Sequence, residues 1–75
     1  MNKERRAEIA KAAEMIREAV GILENARDGE QEYLDNMPEN MQGGDKGSAA
    51  EEAISNLDSA ISDAESAADN AESVE

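Results

Sequence analysis

The stretch that decides the fold is SAAEEAISNLDSAISDAESAADNAESV, residues 48–74. Its apolar residues return every seven positions in three adjacent rows. Ala50, Leu57, Ala64 and Ala71 form one, Ala53, Ala60, Ala67 and Val74 another, and Ile54, Ile61 and Ala68 the third. Seven residues are two turns of helix, whereas a half-buried strand alternates every second residue. The spacing predicts a helix over 48–74. Ser48 with Glu51 three positions later fits a capping box, which satisfies free N–H groups of the first turn, and Gly47 precedes it.

The N-terminal part carries the same kind of pattern. Ile9, Ile16 and Leu23 recur at seven, Ala12, Ala19 and Ala26 stand three after each, and Ala13 and Val20 flank that seam. Glu8/Lys11, Glu14/Arg17 and Glu24/Arg27 are opposite charges one helical turn apart, each pair adding about 0.2–0.5 kcal/mol. Helix is expected over 3–34. Residues 35–47 read as a connection: Pro38 disfavours helix at Met37, PENM can start a short turn, and Gly43-Gly44 breaks the chain. Two matched helices imply an all-α, antiparallel helical hairpin forming a single domain over 1–75.

Composition limits how such a hairpin can be stable. The 75 residues include only ten Ile, Leu and Val and no Phe, about 13% of the chain, below the ~20% at which high charge signals disorder. The fourteen Ala favour helix but bring little area to a core. One stripe between two helices offsets little ordering entropy. Met15 and Ile22 lie to one side of the Ile9 row, and Ile54 and Ile61 flank the Leu57 row. Self-association is therefore expected, as a four-helix bundle dimer or a higher oligomer.

The net charge of -12 is unevenly divided. Residues 1–27 hold Lys3, Arg5, Arg6, Lys11, Arg17 and Arg27 against five acids. Residues 28–75 hold Lys46 against fourteen. One account pairs Lys3, Arg5 and Arg6 with Asp69, Glu72 and Glu75 across the hairpin and leaves the other acids for solubility. The sharper account makes Asp58, Asp63, Glu65, Asp69 and Glu72 an acidic helix face that imitates a phosphate backbone and meets a basic partner. Direct nucleic-acid binding by that face is disfavoured by repulsion.

Several chemistries are excluded by residue type. With no Cys and no His, there is no thiolate nucleophile, no Ser/His/Asp set and no zinc site of the usual kind. Asp63/Glu65 matches no EF-hand loop, so no metal site is expected. Residues 43–48, GGDKGS, lack the GK[ST] ending of a phosphate-binding loop; their amides and Lys46 could hold an anion, with a flexible cap the simpler reading. No cofactor and no catalysis are expected. No apolar run has signal or membrane-span length, which points to a cytoplasmic protein with no membrane contact.

The least generic segment is 33–42, with the only Tyr, the only Pro and two of the four Met. Tyr33, Leu34, Met37 and Met41 can fold back as a plug. Alternatively, Tyr33, Asp35, Met37, Pro38 and Met41 form a contact epitope, an aromatic anchor beside adaptable Met.

EQEYLDNMPENMQGG (residues 30–44) followed by AEEAISNLDSAISDAESA (residues 50–67) resembles a family of short acidic helical proteins of bacteriophages and prophages of Gram-positive bacteria. Their central motif reads EEQEYYDNMPENLQ. Leu34 stands where the family has a second Tyr, and Met41 where it has Leu. The resemblance implies a phage origin and no catalytic residues. Small acidic helical phage proteins include counter-defence factors of the anti-CRISPR kind, many of which occupy a basic groove stoichiometrically. The leading expectation is such a host-defence inhibitor and DNA mimic. One alternative is an oligomeric sponge for a nucleotide immune signal, using Arg5, Arg6, Arg17 or Arg27. Another is a structural or regulatory phage scaffold.

Overall fold

A computed structural model describes residues 1–74. The protein is all-helical, and among the described residues there is no strand. Helix α1 spans Lys3–Asp35, a four-residue α2 spans Glu39–Gln42, and α3 spans Asp45–Glu72. The molecule is elongated, with extents of 59 × 14 × 12 Å.

α1 starts where its sequence supplies a cap: the Asn2 side chain accepts the Arg5 N–H at 2.8 Å. It ends at Asn36, whose N–H donates to the Glu32 carbonyl, just before the Pro38 restriction takes effect. α1 packs along α3, and the two run in opposite directions, since Arg27 meets Asp58 whereas Arg17, ten residues earlier, meets Asp69 and Glu72.

The seam differs in one respect from the expected one. Ile9, Ile16 and Leu23 are half-buried, but their partner row is Ala13, Val20, Arg27 and Leu34, with Ala13 and Val20 buried. Ala12, Ala19 and Ala26 are exposed. On α3 the deep positions are Gly47, Ala50, Ile61 and Ala68, so the Ile54 row lies deeper than the Ala53 row. Alanine at Ala13, Ala50 and Ala68 lets the backbones approach closely, but among the described residues no large side chain is completely enclosed.

The second long helix begins at Asp45, not at Ser48. Its N-cap is Gly44, no side chain caps it, and the Ser48 N–H already donates within the helix, to the Gly44 carbonyl at 2.9 Å. The capping box of Ser48 and Glu51 is thus not used. A packing contact explains the shift. Gly47 is buried against α2, and a Cβ there would collide with the Gln42 backbone. The glycine that reads as a breaker is a point of close approach inside the helix.

The Gln42 side chain closes the same corner, its amide donating to the carbonyls of Met37 (3.0 Å) and Leu34 (3.2 Å). Met37 is buried beneath it. The chain exposes 5441 Å^2, where a compact protein of its 8.0 kDa exposes about 4,450 Å^2.

Two glycine substitutions should move stability in opposite directions. Gly47→Ala must displace α2 and is expected to lower the melting temperature by several degrees or more. Gly21→Ala adds a Cβ that meets nothing within 4 Å and replaces a poor helix former, a gain of about 0.5–1 kcal/mol, which should raise it by a few degrees. Thermal circular dichroism of both variants checks the pair.

Candidate interaction surface

The carboxylates expected to share one face of the second helix do not. Residues two apart on a helix lie about 160° around it, so Asp63 and Glu65 face different ways. The row that the helix aligns is Glu51, Asp58, Glu65 and Glu72, spaced seven apart, with Asp69 beside Glu72. All of these side chains belong to exposed residues.

Three of the five are engaged internally. Arg17 makes a two-pronged contact with the Glu72 carboxylate, Nη2 to Oε1 at 2.7 Å and Nε to Oε2 at 3.2 Å, and Nη2 also reaches Asp69 Oδ1 at 2.6 Å. Arg27 Nη1 meets Asp58 Oδ1 at 3.2 Å, while its Nε and Nη2 meet the neighbouring Asp28. The hydrogen bond from Arg17 holds the Glu72 carboxyl below its usual range. Glu72 and Asp69 in turn strengthen the hold of Arg17 on its proton, and Asp28 and then Asp58 do so for Arg27. All these pairs are open to water, so their main effect is alignment of the two helices rather than large stabilisation.

Lys3, Arg5 and Arg6 were the expected partners of this acidic end. Among the described residues they form no ion pair, nor does Lys11. The register explains it: α1 has 33 residues and α3 has 28, and with Arg17 opposite Glu72 the first turns of α1 run past the end of α3. Glu75 lies outside the described residues. A groove of about 470 Å^3 opens at that end, lined by Arg6, Ile9, Ala13, Arg17, Ala71 and Val74.

Among the described residues, charge left without an internal ion pair is unevenly spread, with Glu14, Glu18, Glu24, Asp63 and Glu65 along the rod. Lys3, Arg5, Arg6 and Lys11 stand at one end, with Glu4 and Glu8 among them. Glu30, Glu32, Asp35, Glu39, Asp45, Glu51 and Glu52 surround the other, with Lys46 among them.

The connection splits the candidate epitope. Met37 is buried and Leu34 half-buried, as a plug requires. Tyr33 and Met41 stay exposed, at 48% and 46%. Asp35 accepts the Gln31 amide at 2.9 Å, and Pro38 is the N-cap of α2. Tyr33, Asn36, Met37, Pro38, Met41 and Lys46 line an open, largely apolar recess of about 310 Å^3. This recess is the feature that residue type and spacing foreshadow only in composition. Of the arginines in the nucleotide alternative, Arg17 and Arg27 are tied to carboxylates, and Arg5 and Arg6 have no ion-pair partner among the described residues.

Among the described residues, no group of three or more acidic side chains is placed to hold a metal ion, and no helix is long and apolar enough to cross a membrane.

Arg17→Ala should loosen the open end first, with faster amide exchange over residues 66–74. Because Glu72 has a depressed pKa in the folded chain, its contribution is present above the unfolded value, about 4.3, and is lost as pH falls through the folded one. The melting-temperature gap between wild type and Arg17→Ala is therefore expected at neutral pH. It should shrink below about pH 4 and in high salt.

Compared with known proteins, the chain matches no family model, no curated protein and no solved structure.

Proposed function

We propose that this protein acts by binding rather than catalysis, as a stoichiometric inhibitor that occupies a basic groove of a partner protein with the acidic row of α3. The single observation that carries this reading is the alignment of Glu51, Asp58, Glu65 and Glu72 on one exposed line of a 28-residue helix. The line places carboxylates about 10.5 Å apart, on a rod too regular to need reordering when it binds. Asp69 widens the row at one end. Asp63, also in the sequence-based set, lies off the row and is not part of this contact.

The recess beside Tyr33, Pro38 and Met41 supports the same reading. A row of charge gives attraction and fast encounter but little discrimination. An exposed aromatic with a flexible Met beside it supplies a shape that a particular partner can match.

In this proposal the antiparallel pair of helices is a hairpin that associates into a four-helix bundle, and the partner is a host factor of nucleic-acid-binding character in the cytoplasm of a phage-infected cell. The resemblance to phage proteins and the acidic row both favour a defence inhibitor over a scaffold.

The test uses the two members of the row that make no internal ion pair, Glu51 and Glu65. Glu51→Lys with Glu65→Lys should leave helicity unchanged and abolish capture of the partner from host lysate. Double-stranded DNA should also displace the partner from the wild-type protein. Capture that survives both the charge reversal and the DNA would overturn the proposal.

A further inference from the structure

α1 carries a second stripe beside the one that meets α3: Ala12, Met15, Ala19, Ile22, Ala26, Gly29 and Tyr33. The steps are three and four in strict alternation, which is the spacing of a coiled-coil seam. Every member is exposed, and Met15 and Ile22 are exposed by 58% and 69%. The stripe is about 100° around the helix from the α3 seam, with Ile9, Ile16 and Leu23 between the two. α3 continues this face with Ala53, Ala60, Ala67 and Val74. The ion pairs of Arg17 and Arg27 lie on the opposite face, because Asp58 and Glu72 flank the Ile61 row and not the Ala53 row.

We propose that this face is covered by a second copy of the chain, with the two α1 helices packed antiparallel about a two-fold axis beside Ile22. The inference rests on the four-helix reading above and fixes its register, but it does not depend on the acidic row.

Three observations choose a second copy as the occupant. The first is size. Read backwards, the stripe sets Tyr33 opposite Ala12, Gly29 opposite Met15, Ala26 opposite Ala19 and Ile22 opposite itself. Tyr33 and Met15 then face small residues, and the two Ile22 side chains meet on the axis, as a self-complementary isologous contact allows.

The second is charge. The row flanking the stripe is Lys11, Glu18, Asn25 and Glu32, and the same register sets Lys11 opposite Glu32 of the other copy, twice by symmetry. The overhanging Arg5 and Arg6 reach the Asp35–Glu39 region of that copy. None of Lys11, Glu32, Arg5 or Arg6 has an ion-pair partner among the described residues.

The third is area. The chain exposes 5441 Å^2, about 1,000 Å^2 more than a compact protein of its mass, and a standard interface covers about 800 Å^2 on each partner. The same axis crosses α3 near residues 63–64 and sets Ala60 opposite Ala67 and Ala53 opposite Val74. It also brings the two Asp63 carboxylates together at the rim.

The chain has no cysteine, so single cysteine variants report the register cleanly. Under mild oxidation Ile22→Cys should cross-link nearly quantitatively at micromolar concentration. Ala12→Cys should not, because its copies stand about 31 Å apart along the axis. An equimolar mixture of Ala12→Cys and Tyr33→Cys should cross-link. By sedimentation equilibrium, Ile22→Glu should weaken the dimer roughly 100-fold, since one central residue carries much of such an interface. Lys11→Glu should weaken it and Lys11→Glu with Glu32→Lys should restore it, while Asp63→Asn should tighten it.

Circular dichroism guards against misfolding, and every substituted side chain is exposed. A wild-type monomer at ~100 µM would overturn this register and the four-helix reading together. A dimer in which Ala12→Cys cross-links as readily as Ile22→Cys would overturn the register alone. Neither result would touch the acidic-row proposal, whose own variants do not alter this face.

Discussion

The structure depends on close approach of two helices that have almost nothing large to place between them. Ala13, Ala50 and Ala68 are the deepest side chains along the seam, each exposed by 2% or less. Dispersion rewards such small groups only when the backbones come near, because the attraction falls away within a fraction of an ångström of a gap. The approach cannot hold to the end of α1, where Arg27 and Glu30 take seam positions. There the plug takes over: Met37 fills the space, Gln42 ties its amide to two carbonyls, and Gly47 lets α2 lie against α3. The two ends are thus held by different means, the Arg17 fork at one and a packed corner at the other.

That division also arranges the charge. An arginine fork consumes carboxylates where it aligns the helices, so Asp58, Asp69 and Glu72 are partly neutralised. The corner consumes none, because its bonds use an amide side chain and backbone carbonyls. Among the described residues, half of the acids without ion pairs stand around the connection, and the bases without them, Lys46 apart, stand on the overhang of α1. A composition that sums to -12 becomes a long molecule with a strongly acidic connection and an overhang where bases outnumber acids. Local sequence alone would not give this polarity, since it depends on where α3 stops along α1.

Much of the architecture was legible in the rows. The helical period over 48–74 and the Ile9, Ile16 and Leu23 row both describe real elements, and Pro38 marks the end of α1 to within three residues. What was not legible depended on a neighbour. Alanine flanks the Ile9 row on both sides, so Ala12 and Ala13 are equal candidates until α3 takes one of them. Ser48 and Glu51 form a valid local capping signal, but the contact between Gly47 and Gln42 rewards three more residues of helix. Lys3, Arg5 and Arg6 are placed for pairing only if the helices end level, and they do not. The separation of Asp63 from Glu65 is a different case, because helical geometry alone requires it.

The ambiguity on α1 has a physical consequence of its own. A helix with alanine on both sides of a hydrophobic row can serve two seams, and α3 occupies one. If the other closes on a second copy, the ion-paired face of each pair of helices becomes the outside of the assembly. The α3 rows then lie on that outside, related by the two-fold axis. Each assembly offers two identical acidic rows to basic partners, and a dimeric or extended partner that engages both binds the second at high effective concentration. Burying apolar surface and presenting charge would then be one event. On that proposal the thin core drives the association, and the association doubles the charged surface.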